Sequence, residues 1–211
     1  MARFYGVLTL AFLLGLTGSA WAVDGVVDIN QARASAGGVS PGDTAGFPVT
    51  ISQAGSYRLT GNLTVPDANT TAICVTASNV TVDLNGFSIL GPGAAGTGRG
   101  VSAVGVTHTT VLNGTVQGVG EDGLRLGGDA HVERVRAASN GGNGILTGVA
   151  SLVRGNTAEN NGSFGLSLST ETGYAQNVLS NNNGGNANPQ VSGGVEIGSN
   201  TNICGGAALC P

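Results

Sequence analysis

Gly123-Leu-Arg-Leu126, Gly144-Ile-Leu-Thr147 and Gly165-Leu-Ser-Leu168 repeat one pattern at steps of 21 residues. Looser copies lie on either side: Ala72-Ile-Cys-Val75, Gly100-Val-Ser-Ala103 and Gly194-Val-Glu-Ile197. Counted from the first large apolar residue of each, Ile73, Val101, Leu124, Ile145, Leu166 and Val195, the steps are 28, 23, 21, 21 and 29 residues. A unit this short, one brief apolar strand between Gly and Asn, has too few large side chains to bury a core alone. Stacked on its neighbours it does bury one, which is the logic of a solenoid. The pattern predicts a coil in which each unit is one turn, with residues 91–99 and 184–193 as the insertions that stretch the two long steps.

Strand pleating sets the facing. Alternate side chains point to one side, so Ile73/Val75, Val101/Ala103, Leu124/Leu126, Ile145/Thr147, Leu166/Leu168 and Val195/Ile197 are expected to turn inward as two columns about 25 Å long, at an inter-strand spacing of about 4.8 Å. The central outward positions are then Cys74, Ser102, Arg125, Leu146, Ser167 and Glu196. Eleven residues after the anchors come Leu84, Leu112, Val135, Asn156 and Asn177, and Leu-Asn-Gly occurs at both 84–86 and 112–114. Asn140-Gly141 and Asn161-Gly162 stand just before the next Gly144 and Gly165. Asn and Gly accept the left-handed backbone of a sharp bend. These pairs are therefore read as corners, where Asn side chains also bond up and down the stack.

The repeated strand, the Val-Thr-Val-Asp-Leu-Asn-Gly run at 80–86 and the Asn-Gly bends resemble the right-handed parallel β-helix of the pectin-lyase-like superfamily, over residues 46–203. The resemblance implies an all-β fold, a single-stranded right-handed parallel β-helix of roughly six to seven coils. It also implies where to look for function, because members bind sugar chains along the outer face of the repeated strand, and the lyases among them hold Ca²⁺ through clustered Asp and Glu.

Arg3, the apolar run from Val7 to Leu16 and Ala20-Trp21-Ala22 have the order of an export signal, cut after Ala22. That run is too short to span a bilayer, so the chain is expected to be secreted or periplasmic. The division expected is a signal peptide over 1–22, an N-terminal cap over 23–48, the β-helix over 49–203 and a closed tail over 204–211. In the cap, Asp28 is read as the N-cap of a short helix that ends at Gly37-Gly38. Cys204 and Cys210 are expected to form a disulfide pinning the tail in an oxidising compartment, which leaves Cys74 as a free thiol. There is no Lys, and after residue 22 seven Arg face twelve Asp and Glu, a net charge of −5. That balance weighs against nucleic acid or an anionic membrane as partner.

Sugar hydrolysis by the usual route needs two carboxyl groups about 5–10 Å apart, and the outward strand positions supply no pair. The motifs of polygalacturonases are absent, as is an aromatic platform for sugar rings. Asp83 is read as a structural hydrogen-bonding residue. Thr81 and Thr109 coincide in phase, but Val132, Val153 and Tyr174 follow, so no threonine array is sustained. Charge gathers in one unit: Glu121, Asp122, Arg125, Asp129, Glu133, Arg134 and Arg136, with His131 among them. Alternating signs indicate a self-paired surface. His108 and His131 lack metal-ligand spacing.

Two readings result. The first is a non-catalytic structural or glycan-binding module, with an extracellular polysaccharide as its partner and no cofactor. The second is a small lyase, glycoside hydrolase or epimerase whose site uses Arg125 with Asp122 and Glu121, Ca²⁺ being the one cofactor in prospect.

Overall fold

Short strands joined by bends and short loops wind this chain into a parallel β-helix of about seven turns, described by a computed structural model over residues 25–93, 95–198 and 202–205. One sheet of seven strands is the repeated element itself: Val49–Ile51, Ile73–Val75, Val101–Ala103, Leu124–Leu126, Ile145–Thr147, Leu166–Leu168 and Val191–Ser192. This is the repeat face. A 13-stranded sheet supplies the other two faces. The second face runs through Gly55–Leu59, Val80–Asp83, Leu152–Arg154 and Gly173–Ala175, and the third through Ser88–Leu90, Thr157–Glu159 and Val178–Ser180. Two long strands, Thr109–Gln117 and His131–Ala138, turn the corner and belong to both. Pairing is parallel on all three faces.

The expected inward columns lie inside. Leu124, Ile145 and Leu166 are fully buried and pair in register, as do Ile73 and Val101. Thr147, the polar member, is buried with its hydroxyl unpartnered. Val82, Val111, Val132, Val153 and Tyr174 form the matching column of the second face. Each fully buried aliphatic side chain contributes about 1.5–3 kcal/mol, so the stack and not the single turn holds the fold.

Four expectations are corrected. The strand after Leu166–Leu168 is Val191–Ser192, with Leu166 opposite Val191, while Val195–Glu196 pairs with Gly173 and Tyr174 on the second face. Gly193 and Gly194 both have positive φ (73° and 78°) and form a bend, so the phrase at 194–197 begins at a corner. Val195 and Ile197 are consequently 59% and 51% exposed instead of buried.

The helix Gln31–Ala36 is capped by Asn30, whose side chain accepts from the Arg33 amide, and it ends at Gly37. Asp28 instead lies in the strand Val27–Ile29, opposite Arg58, and pairs with it at 2.9 Å. Sheet extension has claimed the residue that was read as a cap.

The corner residue is also one earlier than expected. Ser139, Asn160 and Asn181 carry the left-handed φ of 54–55°, and Asn140, Asn161 and Asn182 beside them are buried. Finally, Thr81 aligns with Thr110, while Thr109 aligns with Val80 and points inward.

The residues proposed as a signal peptide lie outside the described ones. Among the described residues, no helix is long and apolar enough to cross a membrane.

Candidate functional site

Register on the repeat face places Thr50, Cys74, Ser102, Arg125, Leu146, Ser167 and Ser192 in one outward row, one residue per coil. Glu196, expected in this row, is on the second face. Arg125 is thus the one charged side chain of the row. The structure brings it together with both of its expected partners: its guanidinium lies 3.2 Å from Glu121 Oε1 and 3.4 Å from Asp122 Oδ2. The insertion 91–99 adds Arg99, 2.6 Å from Glu121 Oε2.

These contacts leave little chemistry to offer a substrate. Asp122 is buried, and its Oδ1 accepts from both the amide and the Nδ2 of Asn143 at 2.8 Å. Both oxygens of Glu121 are held by guanidinium groups. The cluster ties the insertion to the repeat strand, and the carboxylates face their own arginines. Beside it a depression of about 400 Å³ is lined by Phe47, Thr70, Cys74, Arg99 and Ser102. Cys74 is a free, half-buried thiol there, as expected.

Of the rest of the charged unit, all but Asp129 is self-paired. Glu133 receives Arg134 and Arg154, each at 3.2 Å, with His131 at 3.5 Å, and Arg136 pairs with Glu159. His108 meets Thr107. Among the described residues no group of three His, Cys, Asp or Glu is placed to hold a metal ion. Asp83 Oδ1 accepts from the Asn85 amide and from Asn113 Nδ2, a structural role as expected.

A second depression, about 480 Å³, crosses four coils at the corner between the second and third faces and is lined by Gly86, Asn113, Thr115, Arg134, Arg136, Gly155 and Thr157. Sequence reading placed no site here. The positions fall near the coil's sharp bend, and nothing in their spacing separates a groove from a convex corner.

Two buried asparagine ladders were only partly anticipated. In the first, Nδ2 of Asn140 donates to Oδ1 of Asn161, and Asn161 to Asn182, at 3.0 and 2.8 Å; each Oδ1 also accepts the amide of the coil before. In the second, Asn156 donates to Asn177 and Asn177 to Asn202. Each ladder ends on an acceptor of another kind: Gln190 Oε1 receives Asn182 at 2.9 Å, and Glu196 Oε1 receives Asn202 at 2.8 Å. The 21-residue spacing of the asparagines was a legible signal, whereas Gln190 and Glu196 occur once each and repeat nothing.

Burial raises the phenol pKa of Tyr57, and it raises that of Tyr174, where the charge of Glu196 adds to it. Exposed Asp67 is held below the ordinary carboxylate range by the Thr70 hydroxyl and the Asn69 amide. Cys204 closes the last strand, Ile203–Cys204, and Cys210 lies outside the described residues. Comparison of the chain with protein-family models, with curated proteins and with solved structures finds no match.

Proposed function

We propose that this chain is an exported, non-catalytic β-helix that serves as a structural or glycan-binding module outside the cytoplasm. One observation carries the reading. The outward row of the repeat face, where a pectin-lyase-like solenoid would do its work, consists of Thr50, Cys74, Ser102, Arg125, Leu146, Ser167 and Ser192, and its single charge is spent on Glu121 and Asp122. A general acid and base need carboxyl groups presented to the substrate, and these two are turned to arginine. The sugar-binding side of the proposal rests on the resemblance of the strand and Asn-Gly pattern to that superfamily. A bridge between Cys204 and Cys210 would close the tail of such an exported chain.

The second reading, a small polysaccharide lyase, hydrolase or epimerase, is favoured by the convergence of Glu121, Asp122, Arg99 and Arg125 on one patch. The two are separated by incubating the protein with pectins, alginates and glycosaminoglycans in the presence of Ca²⁺, following ultraviolet absorbance of unsaturated ends and the release of reducing ends. The proposal expects neither signal. Turnover that disappears in Arg125→Ala would establish the enzyme.

A further inference from the structure

We propose that the corner groove around Arg134 and Arg136 is an anion subsite for a polysaccharide bearing carboxylate or sulfate groups. The inference deepens the glycan-binding reading above and rests on it, but it moves the contact surface away from the repeat face.

The groove presents cations at its rim and keeps anions underneath. The side chains of Arg134 and Arg136 are 63% and 55% exposed, whereas those of their partners Glu133 and Glu159 are 17% and 24% exposed. A guanidinium has five donors in a planar fork. Arg136 gives one of its nitrogens to Glu159, and Arg134 gives Nε to Asn113 Oδ1 at 2.8 Å and one terminal nitrogen to Glu133. Donors are left on both forks, already oriented by these bonds. Ion pairs at such exposure are weak in water, so sharing or exchanging them for a bidentate carboxylate or sulfate costs little.

The stacking of the coils adds neutral partners along the same line. Register puts Thr115 one coil before Arg136 and Thr157 one coil after it, so a guanidinium stands between two threonines across three coils, about 10 Å of stack. Alongside, Arg134 occupies a left-handed bend (φ 53°), with Asn113 and Gly155 in the same role on the neighbouring coils. A Cβ built on Gly86 or Gly155 would meet nothing within 4 Å, so the space over them is open. An extended acidic sugar chain lying along the stack would find guanidinium for its acid groups and Thr and Asn for its hydroxyls. The chain's overall acidity, −4 in formal charge, would keep a high-charge polyanion at a distance except at such a spot.

The test is affinity electrophoresis and titration calorimetry of the full chain with polygalacturonate and alginate, with heparin, with neutral dextran, and with single-stranded DNA. Binding to the carboxylate or the sulfate polymer, whichever arm responds, should weaken with added NaCl and fall at least tenfold in R134Q/R136Q. It should persist in the charge-matched R33Q/R58Q, with all three proteins melting alike. Undiminished binding in R134Q/R136Q overturns this placement and leaves the glycan-binding reading intact. Dextran or DNA bound as tightly as the acidic sugars overturns the assigned ligand class. A wild-type chain that binds no glycan overturns both.

Discussion

The same inward corner of the coil is filled in two ways along this molecule. In the later turns Asn140, Asn161 and Asn182 stack there and bond to one another, while one turn earlier the position belongs to Val119, buried and apolar. Counting on from the pairing of Leu90 with Gln117, the residue before Val119 in the stack is Pro92. A ladder asparagine uses its Oδ1 to accept an amide from the coil before it, and proline has no amide to give. The polar column therefore starts where the chain first supplies a donor and stops at an acceptor, Gln190. An apolar filler needs only volume, but a polar one needs partners on both sides, so its ends must be built as carefully as its middle.

The harshest way to break this comparison is to put a polar group into the column that has no partners at all. Leu166→Asp buries an unpaired carboxylate among Ile145 and Val191, and it should cost roughly 3–5 kcal/mol. A urea melt that moves by less than a kilocalorie would mean that the strand faces the other way.

Cutting the ladder comes next. Asn161→Ala removes the acceptor of the Asn140 amide and Nδ2, takes the Nδ2 donor from the carbonyl of Ala137, and leaves Oδ1 of Asn182 with the backbone amide of residue 161 alone. Since a buried polar group left unpaired costs about 1–3 kcal/mol and such losses do not add, roughly 3 kcal/mol is expected. Amide exchange should quicken on both neighbouring turns, and protection unchanged at Asn140 would refute a ladder that holds the turns together.

Extending the ladder upstream gives a smaller effect. Val119→Asn would donate to Asn140 Oδ1, but its own Oδ1 would face Pro92. A net loss of about 1–2 kcal/mol is expected, and a gain in stability would show that the missing amide is not what sets the boundary.

How far these features could be read from the chain follows from the same contrast. The columns of Leu124, Ile145 and Leu166 were legible because burial in a strand leaves a period of two within the unit and 21 between units. The solenoid and its facing followed from that, whereas the self-pairing around Arg125 was legible in the alternating signs of Glu121, Asp122 and Arg125. The last turn was misread because Gly194-Val-Glu-Ile197 matches the pattern in letters, while the bend at Gly193 and Gly194 decides its face. Asp28 was misread as a cap because its cross-strand partner, Arg58, lies 30 residues away. The corner groove was invisible for a related reason: concavity comes from how four turns stack, and no single turn encodes it.

Alkaline titration sharpens the comparison from another side, since each half holds one buried tyrosine. Both phenols are raised above 10.0, Tyr57 by burial and Tyr174 by burial with help from Glu196. The folded chain keeps these protons at a pH where the unfolded chain has begun to release them. Their contribution is whole below about pH 10 and is lost as pH climbs through the folded values. Tyr174→Phe removes one titration, so the alkaline unfolding midpoint should move up, and a midpoint that stays put would separate Tyr174 from that transition.

The smallest change belongs to the outer surface. Arg125→Ala deletes two ion pairs, but the Arg125 side chain is 36% exposed, Glu121 keeps Arg99, and Asp122 keeps both donors from Asn143. Water replaces the guanidinium on a face that is already wet, so the loss should stay under about 1 kcal/mol. Set beside Leu166→Asp, one position over in phase and two turns along, the pair measures inside against outside directly. Thermal melts should separate the two variants widely, and equal destabilisation would mean that the charged cluster supports the repeat face as much as the buried column does.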